Sequence, residues 1–262
     1  MDLATISYEV RDHVAHVRFT QGDAANVVNR IFAADLRKVM LEIEWDDEVR
    51  AVSVTAEGKL FSAGGDLKEF HSKGADLPKH VADLLADFHT SIYKMNRITK
   101  PFVAGVRGGV GGAGLSLVGA FDLVVSGESA KYTMAYTRAG MTPDGTSSFF
   151  VARHIGLRRM LDLTLTNRTL SAVEAEAWGL VNRVVPDDEV DEATQQLAQQ
   201  LADGALYATG NAKRVIYEGY ERSLEEAGEI EGVMITGAAA TNDGREGIAA
   251  FVEKRRPDFT GS

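Results

Sequence analysis

Two turns that nearly lack side chains constrain this chain more than any other feature. Phe61-Ser62-Ala63-Gly64-Gly65-Asp66 closes one strand-like run carrying Val52 and Val54. Val103-Ala104-Gly105-Val106-Arg107-Gly108-Gly109-Val110-Gly111-Gly112-Ala113-Gly114-Leu115 leads from a second run into a helix. Without side chains in the way, main-chain N–H groups are open to close approach by a ligand. Two such donors aimed at one point, one of them at a helix N-terminus, stabilise an enolate or a tetrahedral oxyanion. Tight packing also demands glycine, so the weight of the reading rests on the pair.

Periodicity supplies the surroundings. Ile6, Tyr8 and Val10 alternate with polar residues, as do Val17 and Phe19, which predicts an opening hairpin. Phe32 to Glu44 reads as a helix with Leu36, Val39, Met40 and Ile43 on one face, and Asp76 to Met95 as another with Val81, Leu84, Leu85, Phe88 and Ile92. Phe102–Val106 and Leu123–Ser126 read as strands on either side of a short helix, Gly114–Ala120. Repeated strand–strand–helix units predict an α/β fold with helices packed outside a sheet. After Ser171 the pattern is helical: Ser171–Trp178, Asp188–Ala202, Ala205–Tyr220, Leu224–Thr241 and Gly244–Arg255. Ser171-Ala172-Val173-Glu174 has the form of a capping box. The division expected is a core over residues 1–198 and a helical C-terminal region over 199–262. Small residues there, such as Ala238-Ala239-Ala240, suit close helix packing within the chain or between subunits.

Composition excludes several classes. A formal net charge of −10 argues against a nucleic-acid partner, which needs a basic face. Asp122 interrupts the longest apolar run, so no membrane span is expected. Met1-Asp2-Leu3-Ala4-Thr5 has neither the basic nor the apolar segment of a signal peptide. The absence of cysteine excludes disulfides, thiolate catalysis and cysteine–zinc sites, and fits a cytoplasmic setting. The histidines show no metal-ligand spacing, so no metal is expected.

The two turns are followed or flanked by Lys100-Pro101, Phe121-Asp122-Leu123, Ala177-Trp178-Gly179-Leu180-Val181 and Phe251-Val252-Glu253-Lys254-Arg255-Arg256-Pro257. Together these blocks resemble the enoyl-CoA hydratase/isomerase (crotonase) family, in order and over almost the whole chain. The resemblance implies a crotonase-like ββα superhelix, a homotrimer or dimer of trimers, and an acyl-CoA enzyme of fatty acid metabolism. It implies no cofactor, the coenzyme A thioester being the substrate. It assigns the oxyanion hole to the N–H groups of Gly65 and Ala113, the latter at a position usually held by glycine. Backbone of the Ala63–Asp66 turn is expected to meet the adenine, with Phe251 and Lys254 reaching the nucleotide from a neighbouring subunit. Ala25 stands where many members carry an arginine for CoA, a loss that Lys68 would offset. In so acidic a chain an anionic ligand needs local cations, for which Lys68, Lys100 and Lys254 are the candidates.

At the acyl end the match departs from the hydratases. Their two catalytic glutamates correspond here to Ser116 and Tyr136, neither of which is a base near neutral pH, so hydration by the usual route is not expected. Pro143-Asp144-Gly145 does supply a carboxylate in a tight turn. By resemblance to some enoyl-CoA isomerases, Asp144 is the single acid/base, removing a proton from one carbon and returning it to another. Leu165-Thr166-Asn167-Arg168-Thr169-Leu170 resembles the 4-chlorobenzoyl-CoA dehalogenases. That likeness implies Asp144 as nucleophile, His89 as the base that activates water, and Phe88 and Tyr136 around an aromatic ring. Tyr136 replaces their tryptophan and Pro143 their asparagine. His89 also falls on the apolar face of its helix, where a histidine is ordinarily part of the core. Three functions are therefore in view: isomerisation or related enolate chemistry, aryl-CoA dehalogenation, and acyl-CoA binding without catalysis.

Overall fold

Phe102–Val106 is buried at every position, as a parallel strand covered on both faces must be. In the computed structural model, which describes residues 1–262, this strand lies within a six-stranded sheet. The strands are β1 (Ile6–Arg11), β2 (Val14–Phe19), β3 (Ala51–Ala56), β5 (Phe102–Val106), β7 (Leu123–Gly127) and β10 (Arg183–Val185), in that order across the sheet. Only the opening hairpin β1–β2 is antiparallel; β2–β3, β3–β5, β5–β7 and β7–β10 are parallel. A second sheet joins β4 (Leu60–Ser62), β6 (Gly109–Gly111), β8 (Lys131–Thr133) and β9 (Thr169–Ser171). The pairs β3/β4, β5/β6 and β7/β8 each give one strand to either sheet before a helix returns the chain. Three turns of a ββα superhelix result.

Helices α1 (Arg30–Trp45) and α3 (Leu77–Arg97) pack on one another over one face of the large sheet. Asn29 caps α1, its side chain accepting the Phe32 N–H at 2.9 Å. Leu36, Val39, Met40 and Ile43 face Leu84, Phe88, Ile92 and Met95, all buried. Edge-on and tilted contacts of Phe19 with Phe32 and Phe61, and of Phe61 with Phe121, tie this core to the first glycine turn. The opposite face is covered by α8 (Val190–Ala202), whose Ala198 and Ala202 lie on Val14, Ala51, Val103 and Val125. Residue 198 thus falls inside a helix that packs on the sheet. The remaining core helices are α2 (Leu67–Ser72), α4 (Ala113–Ala120), α5 (Ser147–Ile155), α6 (Leu157–Thr166) and α7 (Ala172–Trp178). At α7 the Ser171/Glu174 capping box forms in full.

Helices α9 (Leu206–Gly219), α10 (Leu224–Ala240) and α11 (Asn242–Glu253) follow. Gly210 lets α9 lie against Thr99, whose carbonyl oxygen would stand 2.3 Å from an added Cβ. Beside it Lys213 donates to the Met95 and Lys100 carbonyls and pairs with Asp122 at 2.9 Å. α10 has no buried residue and exposes Leu224, Val233 and Ile235; α11 exposes Ile248, Phe251 and Val252. Beyond α11 the chain turns back: Asp243 accepts the N–H groups of Thr260 and Gly261, and Arg50, at the start of β3, donates to the Thr260 carbonyl at 2.6 Å. No helix is long and apolar enough to cross a membrane.

Lys100 is a correction to the expected set of CoA cations. It is 7% exposed and donates to the carbonyls of Ile43 and Asp46, closing the end of α1. Burial lowers its pKa, the nearby acids opposing this. An ammonium spent on two buried carbonyls is not available to a ligand.

Candidate active site

The two glycine turns meet backbone to backbone. Gly64 has φ +91°, and a Cβ there would stand 2.6 Å from the Gly111 carbonyl oxygen and 3.2 Å from the Ala113 nitrogen. A Cβ on Gly114 would lie 2.7 Å from that of Ser62. Only glycine permits this approach.

Hydrogen bonding then leaves two donors over. Val28 N–H donates to Gly64 O at 2.8 Å, Asp66 N–H to Val28 O at 3.3 Å, and Ala63 N–H to Ala25 O at 2.9 Å, so Gly65 alone in this turn keeps an unpaired N–H. Ala113 opens α4, where the first N–H groups have no partner within the helix. Its N-cap, Gly112, has no side chain to supply one. Both free donors line one pocket. Leu67 and Phe70 from α2, Val81, Leu84 and Phe88 from α3, and Met141 make its apolar wall.

Tyr136 and Asp144 line it as well. They come from a loop with left-handed backbone at Ala135, Gly140, Gly145 and Thr146. Gly145 is needed twice over: its φ is +58°, and a Cβ would be 2.7 Å from Ser116 Cβ and 3.0 Å from the Phe88 ring. The Asp144 carbonyl is held by Ser147, through N–H at 3.2 Å and hydroxyl at 3.0 Å, and lies 2.9 Å from Ser116 Oγ. The Tyr136 hydroxyl donates to Asp144 Oδ1 and is 2.9 Å from Ser116 Oγ. No protein donor reaches Asp144 Oδ2, which is left free to act.

Electrostatics separate the roles of the two. Burial raises the Asp144 pKa above the usual carboxylate range, against the lowering effects of the Tyr136 hydrogen bond and of His89. Burial, and then the Asp144 charge, raise the Tyr136 pKa well above 10, so the phenol stays protonated and serves as donor. His89 lies behind the Asp144 loop and is not part of the pocket lining; its Nε2 accepts the Gly145 N–H at 3.2 Å.

Gly65, Ala113, Tyr136 and Asp144 are thus brought to one pocket, with His89 outside its lining and bonded to Gly145. Ala63 is exposed on the turn, and Asp66 caps α2, its carboxylate accepting the N–H groups of Lys68 and Glu69 at 3.1 and 3.0 Å. Lys68 is exposed and in no ion pair, while Phe251 and Lys254 are exposed at the end of α11 and line no part of this pocket. Ser116, read from sequence only as a missing glutamate, is fully buried at the junction of Tyr136 and Asp144. Leu67, Phe70 and Met141 cannot be found from the sequence, since apolar side chains in a short helix and a loop carry no periodic signal.

The sequence model of the enoyl-CoA hydratase/isomerase family matches residues 9–262. The chain is 34% identical over 250 residues to 4-chlorobenzoyl coenzyme A dehalogenase-2 of Arthrobacter sp, covering 95% of this chain and 91% of that one. It is 30% identical over 256 residues to the 1,2-epoxyphenylacetyl-CoA isomerase of Escherichia coli (strain K12), covering 96% and 97%. The crystal structure of an enoyl-CoA hydratase from Polaromonas sp. JS666 superposes with a TM-score of 0.93 at 28% identity, covering 98% of this chain and 100% of that one.

Proposed function

The chain belongs to the enoyl-CoA hydratase/isomerase family and is an enzyme of that family, and from this premise we propose that it moves the double bond of an enoyl-CoA, with Asp144 as its single acid and base. The observation that carries the proposal is Asp144 itself, the one carboxylate lining the pocket that also holds the free N–H groups of Gly65 and Ala113. In a 3-enoyl thioester the ionised Asp144 takes a proton from C2. The electron pair moves into the thioester, giving a dienolate whose oxygen accepts the Gly65 and Ala113 N–H groups. Asp144 then returns the proton to C4, and the double bond lies between C2 and C3. No water is consumed, so the lost glutamates are not needed. A raised pKa suits a group that must both take and give a proton near neutral pH.

The apolar wall of Leu67, Phe70, Val81, Leu84 and Phe88 favours an uncharged acyl group. For the nucleotide, the turn at the exposed Ala63 and the unpaired Lys68 are suited to the adenine end and its phosphates. Exposure of Phe251 and Lys254 suits a contact with a neighbouring copy's ligand.

Dehalogenation of an aryl-CoA is the second reading, favoured by the Arthrobacter relative and by Tyr136 and His89 flanking Asp144. Against it, the Nε2 lone pair that would activate water is taken by Gly145. A panel of 3-enoyl, 2-enoyl and 4-chlorobenzoyl thioesters followed by mass spectrometry separates the two. Conversion of the 3-enoyl to the 2-enoyl thioester is expected. Chloride release with a trapped aryl ester on Asp144 would replace isomerisation by dehalogenation.

A further inference from the structure

Ser116 stands on α4 one turn beyond Ala113, out of reach of solvent and outside the pocket lining. A serine within a helix ordinarily returns its proton to the carbonyl four residues earlier. Here that oxygen, Gly112 O, is 3.5 Å away, at the limit for a hydrogen bond. Tyr136 Oη and the Asp144 carbonyl are closer, each at 2.9 Å. The carbonyl already has two donors from Ser147. The phenol oxygen has given its own proton to Asp144 Oδ1, and Ser116 is the one side chain placed to donate to it, beside the Asp144 N–H. The single Ser116 proton is therefore best placed on Tyr136, which makes a chain of donors running Ser116 to Tyr136 to Asp144. Along such a chain each bond polarises and strengthens the next. The titratable groups facing the carboxyl are Tyr136 and, from α3, His89; α4 contributes only Ser116.

Resting on the assignment of Asp144 as proton carrier, we propose that Ser116 is a positioning residue that acts on this carboxyl through Tyr136, committing the phenol proton to Asp144 Oδ1. Loss of the Ser116 hydroxyl weakens Tyr136 as a donor, and the ionised carboxylate loses support in a buried site.

Carboxyl carbon NMR of 13C-labelled protein reads this without substrate, the Asp144 resonance being identified by its loss in Asp144→Asn. Ser116→Ala is expected to move the Asp144 titration to higher pH by about half a unit to one unit, the size of one neutral hydrogen bond. In a Tyr136→Phe background the same substitution is expected to move it no further. An unchanged or lowered titration in Ser116→Ala, or an equal shift with and without the phenol, overturns the proposal. Ser116→Cys keeps the side-chain shape with a weaker donor, and is expected to shift the titration the same way if the alanine variant does not fold. A thioester panel without isomerisation would instead overturn the assigned reaction and leave the Ser116 result standing.

Discussion

At the level of single residues, the proposed reaction rests on Asp144. Asp144→Asn keeps the size of the side chain and an acceptor for Tyr136 while removing the base. Turnover of a 3-enoyl thioester is expected to fall ~10²–10⁴-fold, with little change in acyl-CoA affinity, so that the loss lies in kcat. Steady-state kinetics together with a binding titration check both halves. The pH profile follows from the raised Asp144 pKa. Proton removal requires the ionised form, so kcat/KM should fall on the acidic side, with a midpoint above the ~3.9 of an unperturbed aspartate. A midpoint at or below that value in a pH–rate series would contradict the buried-carboxylate picture. Much of this site is not derivable from spacing. Pro143-Asp144-Gly145 reads as an ordinary turn, and the catalytic role proposed for it rests on the family resemblance. The fit of Gly145 between Ser116 and Phe88 is legible neither in spacing nor in resemblance, because it depends on segments far apart in the chain.

Among the elements, legibility tracks length. The helices α1, α3 and α8 to α11 are long enough to be read as helices, and the sequence places them within two residues or so. The strands β4, β6, β8 and β9 have three residues each, too few to show a period of two, so the second sheet stays hidden. Yet this small sheet sets the glycine turns side by side, since β4 pairs with β6 directly before the free donors. The join should tolerate little change. Gly64→Ala puts a side chain at φ +91° with its Cβ 2.6 Å from Gly111 O. The backbone term alone should cost roughly 1–2 kcal/mol, and relief of the contact would separate the turns. Urea unfolding should show the lower stability, and activity should fall further than stability alone explains, because the N–H groups of Gly65 and Ala113 would no longer converge.

For the whole molecule the open question is what covers the outer helices. Val233 and Ile235 on α10, and Ile248, Phe251 and Val252 on α11, are each more than 60% exposed, more apolar surface than a lone chain ordinarily leaves in water. Copies of the chain are the proposed cover, as trimers or dimers of trimers. Light scattering at micromolar concentration should give a multiple of the 28.3 kDa chain mass, and Ile235→Glu should reduce it by placing a charge in the interface. The helical tail is fastened at two ends. α9 is seated through Gly210 and Lys213, and the last residues return through Thr260 to Arg50. An assembly that keeps both moorings within each protomer is a meeting of finished surfaces, without exchange of segments, and is reversible by dilution: protomers set apart should then keep their full helical signal and find one another again when concentrated.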